Sequence, residues 1–194
     1  MATATAPPTP PTQRRFTVDE YERMAEAGVL PEDENVELLD GRIYRMSPIG
    51  SRRAACIRRL NQFFQVRLQS QALVSVQHPV RLDEASEPEP DLTLLAPQKD
   101  DYSTHHPGPD DVFLLVEVAD TSLDFDRETK GPLYARAGIS EYWVIALDDE
   151  QVHVFRDPER KQFETHKTYG LADEIAVATL STLDPVPVKQ ILGA

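Results

Sequence analysis

The sequence predicts one α/β domain in which helices cover a sheet built around a buried central strand. A long segment, "SRRAACIRRLNQFFQVRLQSQ" (51–71), has apolar residues at helical spacing, and "DVFLLVEV" (111–118) is an almost continuous apolar run. Shorter apolar segments separated by turn residues predict further strands. With 194 residues and 40% apolar content, the chain suits one domain. Residues 1–15, rich in Ala, Thr and Pro, predict a disordered arm, which leaves 16–194 as the domain.

The domain is expected to begin with a short helix followed by a hairpin. In "FTVDEYERMAEAG", Thr17 and Glu20 have the spacing of a capping box. In "NVELLDGRIYRM", Asp40-Gly41 favours a tight turn between two strands. Alternation along the first of these strands favours a solvent-facing Glu37.

The long helix at 51–71 predicts a buried stripe and arginines in two environments. Arg53 precedes the stripe by four residues, so it should lie on the buried side of the first turn. A cation there requires an anionic partner, either a carboxylate of this chain or a ligand phosphate. Arg52 and Arg59 should project into solvent. The stripe consists of Ile57, Leu60, Phe64 and Leu68.

The middle of the chain leads to the central strand. "LVSVQHPVRL" (73–82) predicts a strand or a bent hairpin, and Leu92 to Leu95 predict a strand after a proline-rich entry. Residues 97–111 should form a loop. His105 and His106 are adjacent in it, and loop polarity explains them better than metal ligation.

The central strand should be followed by a helix from about Asp124 to Ala137. Gly131-Pro132 interrupts this helix, so a kink or a new start is expected near Lys130. "EYWVIAL" and "QVHVFR" then predict a β-hairpin, and "QFETHKTYG" and "DEIAVATL" predict short strands at the sheet edge.

Charge is distributed unevenly along the chain. The net charge of −13 argues against a protein that coats nucleic acid. Residues 41–82, however, contain eight arginines and no acidic residue or lysine, so this segment is +8 and the remainder is −21. Arginine suits bidentate phosphate contacts, although a solvated face that balances an acidic body explains the segment equally simply.

Sequence features also bear on the cellular compartment. Cys56 is the only cysteine, which excludes an internal disulfide and a cysteine zinc cluster. No run approaches eighteen apolar residues, and the N-terminus lacks the pattern of a signal peptide. We therefore expect a cytoplasmic protein that does not enter the membrane.

Three residues predict a catalytic metal site. Asp91 starts one strand, Glu117 lies near the end of the next, and Lys130 lies on the following helix with Asp126 and Tyr134 four residues to either side. Two carboxylates at one end of a sheet suit a hard cation such as Mg²⁺, which keeps several waters and binds phosphate oxygens. An ammonium beside such an ion can orient water and neutralise charge that develops on a phosphate.

Each of these residues also has a simpler explanation. Asp91 follows a proline and could cap a turn. Lys130 could be a surface lysine paired with Asp126. Tyr134 and Trp143 lie in apolar surroundings that favour a place in the core. Glu117 has the weakest alternative, because an uncompensated carboxylate on a buried strand is costly.

The order and flanks of these residues resemble a known family. Pro90-Asp91 followed by Glu117-Val118-Ala119 resembles the PD-(D/E)XK nuclease signature, with Ala119 where that superfamily usually has its lysine. The stretch "LLVEVADTSLDFDRETKGPLYARAGISEYWVI", with "VELLDGRIYRMSP" before it, resembles the Uma family of putative restriction endonucleases over about residues 16–185. In that family the lysine lies on the following helix, which matches Lys130.

The resemblance implies a restriction-endonuclease-like fold, a central mixed sheet flanked by helices, and metal-dependent hydrolysis of DNA. It implies that Asp91 and Glu117 bind Mg²⁺ (or Mn²⁺), joined by the Val118 carbonyl. It further implies that Lys130 assists the attacking water and that Glu37 supports the metal or the lysine. One departure is Arg53, where the family often has histidine; arginine cannot act as a base but can hold a phosphate.

The same reasoning gives expectations about partners. Arg52, Arg53 and Arg59 are the candidate DNA contacts, and a homodimer would place two sites on opposite strands of a duplex. Two other functions stay open: a non-catalytic binding module that keeps the nuclease fold, and an assembly protein that pairs through the "EYWVIAL" hairpin edge.

Overall fold

The computed structural model describes residues 12–31 and 33–194 and shows a mixed sheet flanked by helices, which confirms the predicted fold class. Most of the expected arm, residues 1–11, lies outside the described residues. The helices are α1 (Val18–Glu26), α2 (Ser51–Leu68), the short α3 (Leu123–Phe125), α4 (Gly131–Ala137) and α5 (Val188–Leu192). The strands are β1 (Val36–Leu39), β2 (Arg42–Arg45), β3 (Leu73–Ser75), β4 (Leu92–Leu95), β5 (Val112–Ala119), β6 (Glu141–Ala146), β7 (Gln151–Glu159), β8 (Gln162–Tyr169), β9 (Glu174–Ile175) and β10 (Val186–Pro187).

The central sheet has six strands in the order β3-β4-β5-β6-β7-β8. Only β5 and β6 pair in parallel within it, and the chain crosses between them through α3 and α4. Every side chain of β5 except Phe113 is buried, as the continuous apolar run predicts. This strand and its neighbour β4 carry two of the candidate site residues at their ends.

Two apolar layers cover the sheet. On one face the predicted stripe of α2 packs on alternate residues of the central strands, such as Leu92 and Val116. On the other face Leu133 and Tyr134 of α4 pack against Leu115 and neighbouring side chains. Because side chains alternate along a strand, Glu117 faces the same layer as Leu115 and meets α4.

The predicted N-terminal elements are confirmed. Thr17 accepts from the Glu20 backbone N–H while the Glu20 carboxylate accepts from the Thr17 N–H, so both bonds of the capping box form. Asp40 and Gly41 both have positive φ angles between β1 and β2, as a tight hairpin turn requires. The expectation that Glu37 faces solvent is wrong, because this side chain is buried.

The interrupted helix after β5 is confirmed, and its irregularity is a π turn. Residues Asp126–Lys130 form this turn, which ends where the Gly131 N–H donates to the Asp126 carbonyl five residues back. Pro132, the second residue of α4, has no N–H, so it cannot donate a hydrogen bond back into the preceding turn, and the α-helical pattern starts afresh there. The helix resumes as α4 and ends at Gly138, whose φ is +86°.

The C-terminal third differs from expectation in two respects. β6 and β7 form the predicted hairpin, but β6 pairs with β5 on its other side and is interior to the sheet. The "EYWVIAL" edge therefore cannot pair with a second copy, which corrects the assembly hypothesis based on it. β9 pairs with β10 in a separate small sheet rather than extending the central one. In the described part of the chain, none of the helices is long and apolar enough to cross a membrane.

Candidate active site

The site lies at one end of the central sheet, where four parts of the chain meet. Leu92 pairs with Val116 in the antiparallel register of β4 and β5, so Asp91 and Glu117 are the next residues in that register. Hairpin β1–β2 brings Glu37 to this end, and the π turn brings Lys130. The sheet register and the hairpin thus gather residues that lie far apart in sequence.

Lys130 is fully buried and lies between two carboxylates. Its Nζ donates to Glu117 Oε1 at 2.9 Å and to Glu37 Oε1 at 3.0 Å. Tyr134, one helical turn further along, also donates its hydroxyl to Glu117 Oε1, at 2.8 Å. The exposed fractions are 0% for Lys130, 1% for Glu117 and 3% for Glu37. We refer to these four residues as the lysine network.

The π turn explains how this lysine reaches the carboxylates. A π turn widens the helix locally, and both Asp126 and Lys130 point inward from it. Asp126 is held in turn by the Ser122 hydroxyl, which donates to its Oδ2 at 2.6 Å. The Gly131-Pro132 interruption thus places an ammonium beside β5.

Burial and charge set the protonation of the lysine network. Burial raises the pKa of Glu117 to about 7 and that of Glu37 to about 6, and Lys130 partly offsets both shifts. Burial by itself lowers the pKa of Lys130, but the charges of Glu117 and Glu37 outweigh it and raise that pKa above its usual value. Lys130 is therefore an ammonium at neutral pH and donates hydrogen bonds rather than accepting protons.

Asp91 belongs to a second ion pair, formed with Arg53 from the first turn of α2. Arg53 Nε lies 2.9 Å from Asp91 Oδ2, and Arg53 Nη2 lies 3.0 Å from Oδ1. The backbone N–H of Val118 donates to Oδ2 at 2.8 Å, and Gln77 Nε2 lies 3.4 Å from Oδ1. The predicted need of Arg53 for an anionic partner is thus met within the chain.

Two clefts adjoin this ion pair, and Arg53 lines both. The smaller, of about 170 Å³, is also lined by Glu37, Glu89 and Asp91. The larger, of about 410 Å³, is lined by residues that include Gly50 and Ser122. The Arg53 side chain keeps 15% of its surface exposed, so part of it is accessible to solvent.

Negative charge exceeds positive charge around the site. Five carboxylates influence one another and the two cations Arg53 and Lys130; with all groups ionised, five negative and two positive charges leave −3. Burial raises the pKa of Asp126 and of Glu89, as expected where anions are crowded and desolvated. The carboxylates are Glu37, Glu89, Asp91, Glu117 and Asp126.

The donor set at this end of the sheet fits a hard divalent cation. Glu117 Oε2 is buried and accepts no hydrogen bond from any residue that the structure describes. Within 12–31 and 33–194, no group of three or more His, Cys, Asp or Glu side chains is arranged to hold a metal. Mg²⁺ needs only one or two carboxylates and keeps several of its waters. Glu117, Asp91 and the Val118 carbonyl therefore offer oxygen ligands of a suitable type and number. In the structure the Asp91 oxygens accept from Arg53 and from the Val118 N–H.

The other two candidate DNA contacts have partners within the chain. Arg52 is exposed and pairs with Asp120 and Asp148 at 3.2 and 2.7 Å. Arg59 is not directed into solvent as expected, because it donates to the carbonyls of Ile191 and Leu192 at the end of α5. Their role as DNA contacts stays a prediction.

Sequence reasoning missed several contributors. It assigned Tyr134 to the core, and the side chain is buried, but its hydroxyl also binds Glu117. The four-residue spacing from Lys130 was the available signal. Gln77 and Glu89 lie in irregular segments, where no pattern indicates that they border the cleft.

Comparisons with known proteins identify the fold and the family. The family model of Uma2, described as "Putative restriction endonuclease", matches residues 18–186. No curated protein matches the chain. Among solved structures, a putative nuclease belonging to DUF820 from Anabaena variabilis superposes with a TM-score of 0.70 at 16% identity, covering 92% of this chain and 98% of that one. That likeness shows the shared fold, and the family match over most of the chain shows that this protein belongs to the Uma2 family.

Proposed function

We propose that this protein is a Mg²⁺-dependent endonuclease that hydrolyses phosphodiester bonds in DNA. The observation that carries the proposal is a fully buried ammonium held between Glu37 and Glu117 beside Asp91, in a region where negative charge exceeds positive charge. Membership in a family described as "Putative restriction endonuclease" supports the same reaction class.

The metal ligands in this proposal are Asp91, Glu117 and the Val118 carbonyl. The register of β4 and β5 brings the two acids to one sheet end, and the buried Glu117 Oε2 supplies an oxygen without a donor among the described residues. Bound Mg²⁺ supplies Lewis acidity toward a phosphoryl oxygen and lowers the pKa of water. Mn²⁺ prefers the same oxygen donors and is expected to substitute.

Lys130 acts as a charged donor in this scheme. Because its pKa is raised, the ammonium persists at neutral pH and can orient the attacking water or neutralise charge developing on the phosphate. Glu37 holds the ammonium in place through its 3.0 Å hydrogen bond and so acts as a positioning residue. Arg53 always carries its charge and can hold a phosphate, but it cannot accept a proton.

Plasmid nicking tests the proposal. Supercoiled DNA is incubated with Mg²⁺ or Mn²⁺ and wild-type protein, Lys130→Met, or the matched control Lys161→Met, which changes an exposed hairpin lysine. We expect nicking by the wild type and the control, and a loss of about 100-fold or more in Lys130→Met, typical of removing one electrostatic group from such a site. Circular dichroism checks that the variant is folded, and Asp91→Asn serves as a second inactivating change.

Two results would overturn the proposal. Equal nicking by wild type and Lys130→Met assigns the activity to a contaminant or to another site. No cleavage by the wild type of double-stranded DNA, single-stranded DNA or RNA, with either metal, rejects the nuclease function.

A non-catalytic binding module is the second candidate, and the saturation of Asp91 by Arg53 favours it. Calorimetric titration with Mn²⁺ separates the two functions. A catalytic protein binds the ion in a manner that depends on Asp91 and Glu117, whereas a module without catalysis shows no such binding.

Contacts with DNA and self-association complete the proposal. Arg52 and Arg59 are engaged within the chain, and Arg45 pairs with Glu34, so the exposed Arg42 and Arg58 of the arginine-rich segment are better sites for charge reversal. Binding that relies on these arginines should weaken steeply with salt. We further propose a homodimer, which light scattering tests directly; a strict monomer excludes it.

A further inference from the structure

We infer that Arg53 occupies the cation position at Asp91 and that metal ions bind only by displacing it. The inference rests on the proposed function, because it concerns how the same site admits its ion. It makes Arg53 an internal competitor that sets metal affinity.

The first argument is that Asp91 has no acceptor capacity left. Oδ2 accepts from Arg53 Nε and from the Val118 N–H, and Oδ1 accepts from Arg53 Nη2 at 3.0 Å, with Arg53 Nε at 3.2 Å and Gln77 Nε2 at 3.4 Å. A carboxylate offers about four lone-pair sites, so these donors use them all. To bind a metal ion, Asp91 must give up some of these hydrogen bonds.

The second argument identifies which donor can leave. The Val118 N–H is fixed in the backbone of β5, whereas the Arg53 guanidinium sits at the end of a flexible side chain. Arg53 already lines the larger cleft of about 410 Å³ as well as the smaller one next to Asp91. The guanidinium can therefore swing away from Asp91 into that cleft, where a DNA phosphate would meet it.

The third argument comes from charge. Asp91 is 1% exposed, and an unpaired carboxylate at such burial is strongly destabilising. A cation must accompany it in every state, and Arg53 meets this need without metal. When a divalent ion replaces Arg53, the negative charge of Asp91 stays paired with a cation both before and after the exchange.

Metal binding measured without any reaction tests the inference. Protein freed of metal with EDTA is titrated with MnCl₂ by calorimetry as wild type, Arg53→Gln, and Arg58→Gln, a control that removes one exposed positive charge from the same helix. If the Arg53–Asp91 pair is closed nine-tenths of the time, its removal tightens Mn²⁺ binding about tenfold. We expect that gain in Arg53→Gln, no comparable gain in Arg58→Gln, and loss of the gain when Asp91→Asn is added.

Thermal unfolding provides an independent readout. Without metal, Arg53→Gln should melt about 5–10 °C below wild type because Asp91 loses its partner. Saturating Mn²⁺ should raise its melting temperature by more than that of wild type. If Arg53→Gln does not fold, Arg53→Lys keeps the charge but loses the two-pronged contact, and should show a smaller gain in affinity.

The outcomes distinguish the inference from the function on which it rests. If the wild type binds Mn²⁺ and Arg53→Gln binds it no more tightly than Arg58→Gln, the competition is refuted and the nuclease proposal stands. If neither wild type nor any variant binds Mn²⁺, both ideas fail together.

Discussion

Replacing Lys130 with methionine tests the physical basis of the site through stability alone. The side chains have similar length, so the change removes the ammonium and leaves Glu37 and Glu117 buried without their shared partner. Breaking a buried ion pair in this way costs about 3–5 kcal/mol. For a protein of this size that corresponds to a fall of about 6–20 °C in melting temperature.

The loss should depend strongly on pH. Glu117 and Glu37 have folded-state pKa values of about 7 and 6, above the ordinary value of 4.5. Because the folded state binds these two protons more tightly than the unfolded state, it gains stability from them. This gain is complete below pH 4.5 and is lost as the pH rises through the folded-state pKa values. Removing Lys130 raises these pKa values further. In the variant, Glu37 or Glu117 therefore keeps a proton, so that the pair does not bury two negative charges. Holding one carboxyl protonated costs about 1.4 kcal/mol for each pH unit above its unfolded pKa, and the wild type bears the same cost up to its own folded-state pKa values. The extra, pH-dependent loss in the variant is therefore small at pH 5.5 and reaches about 1–3 kcal/mol at pH 8.

Urea denaturation at pH 5.5 and pH 8 measures the loss in the free energy of unfolding of Lys130→Met and the dependence of that loss on pH. Lys161→Met, on the exposed β7–β8 hairpin, is the control and should change stability little at either pH. If Lys130→Met is as stable as wild type at pH 8, or equally destabilised at both pH values, Lys130 does not compensate the buried carboxylates and the account of the site is wrong.

Two further substitutions test neighbouring features. Tyr134→Phe removes the hydroxyl that donates to Glu117 and should lower the free energy of unfolding by about 1–3 kcal/mol in urea denaturation, whereas Tyr169→Phe on the edge strand should cost little. Gly138→Ala should cost about 1–2 kcal/mol because φ is +86° there, although a Cβ would have open space around it among the described residues. Gly108→Ala is the matched control, since φ is −96° at that position, and equal costs for the two glycines would contradict the backbone explanation.

The sequence predicted most of the fold because the relevant signals are local. The capping box at Thr17, the Asp40-Gly41 turn and the apolar run of β5 each depend on neighbouring residues, and all three appear in the structure. The kink near Lys130 was predictable from Pro132 alone. What could not be predicted was the pairing of β9 with β10 and the presence of α5, since two-residue strands carry almost no pattern.

Prediction of the site was limited by contacts between distant residues. Strand alternation favoured a solvent-facing Glu37, and only family resemblance placed it at the site; the residue it binds lies 93 positions away. Likewise, the helical phase of Arg53 predicted an anionic partner but not that this would be Asp91, the acid assigned to the metal. The periodicity of an element indicates which side is covered, but not what covers it.

The hydrogen bond from the Val118 N–H to Asp91 has a wider consequence. It ties the carboxylate of Asp91, a ligand in the proposed mechanism, to the backbone of the adjacent strand. The position of this carboxylate is therefore fixed by how β4 and β5 align rather than by a rotamer choice. A change at the irregularity between Leu94 and Leu95 would displace Asp91 relative to Glu117 while leaving both side chains intact. Substitutions well removed from the cleft can therefore alter the proposed site by shifting the alignment of two strands, without changing any residue of the site itself.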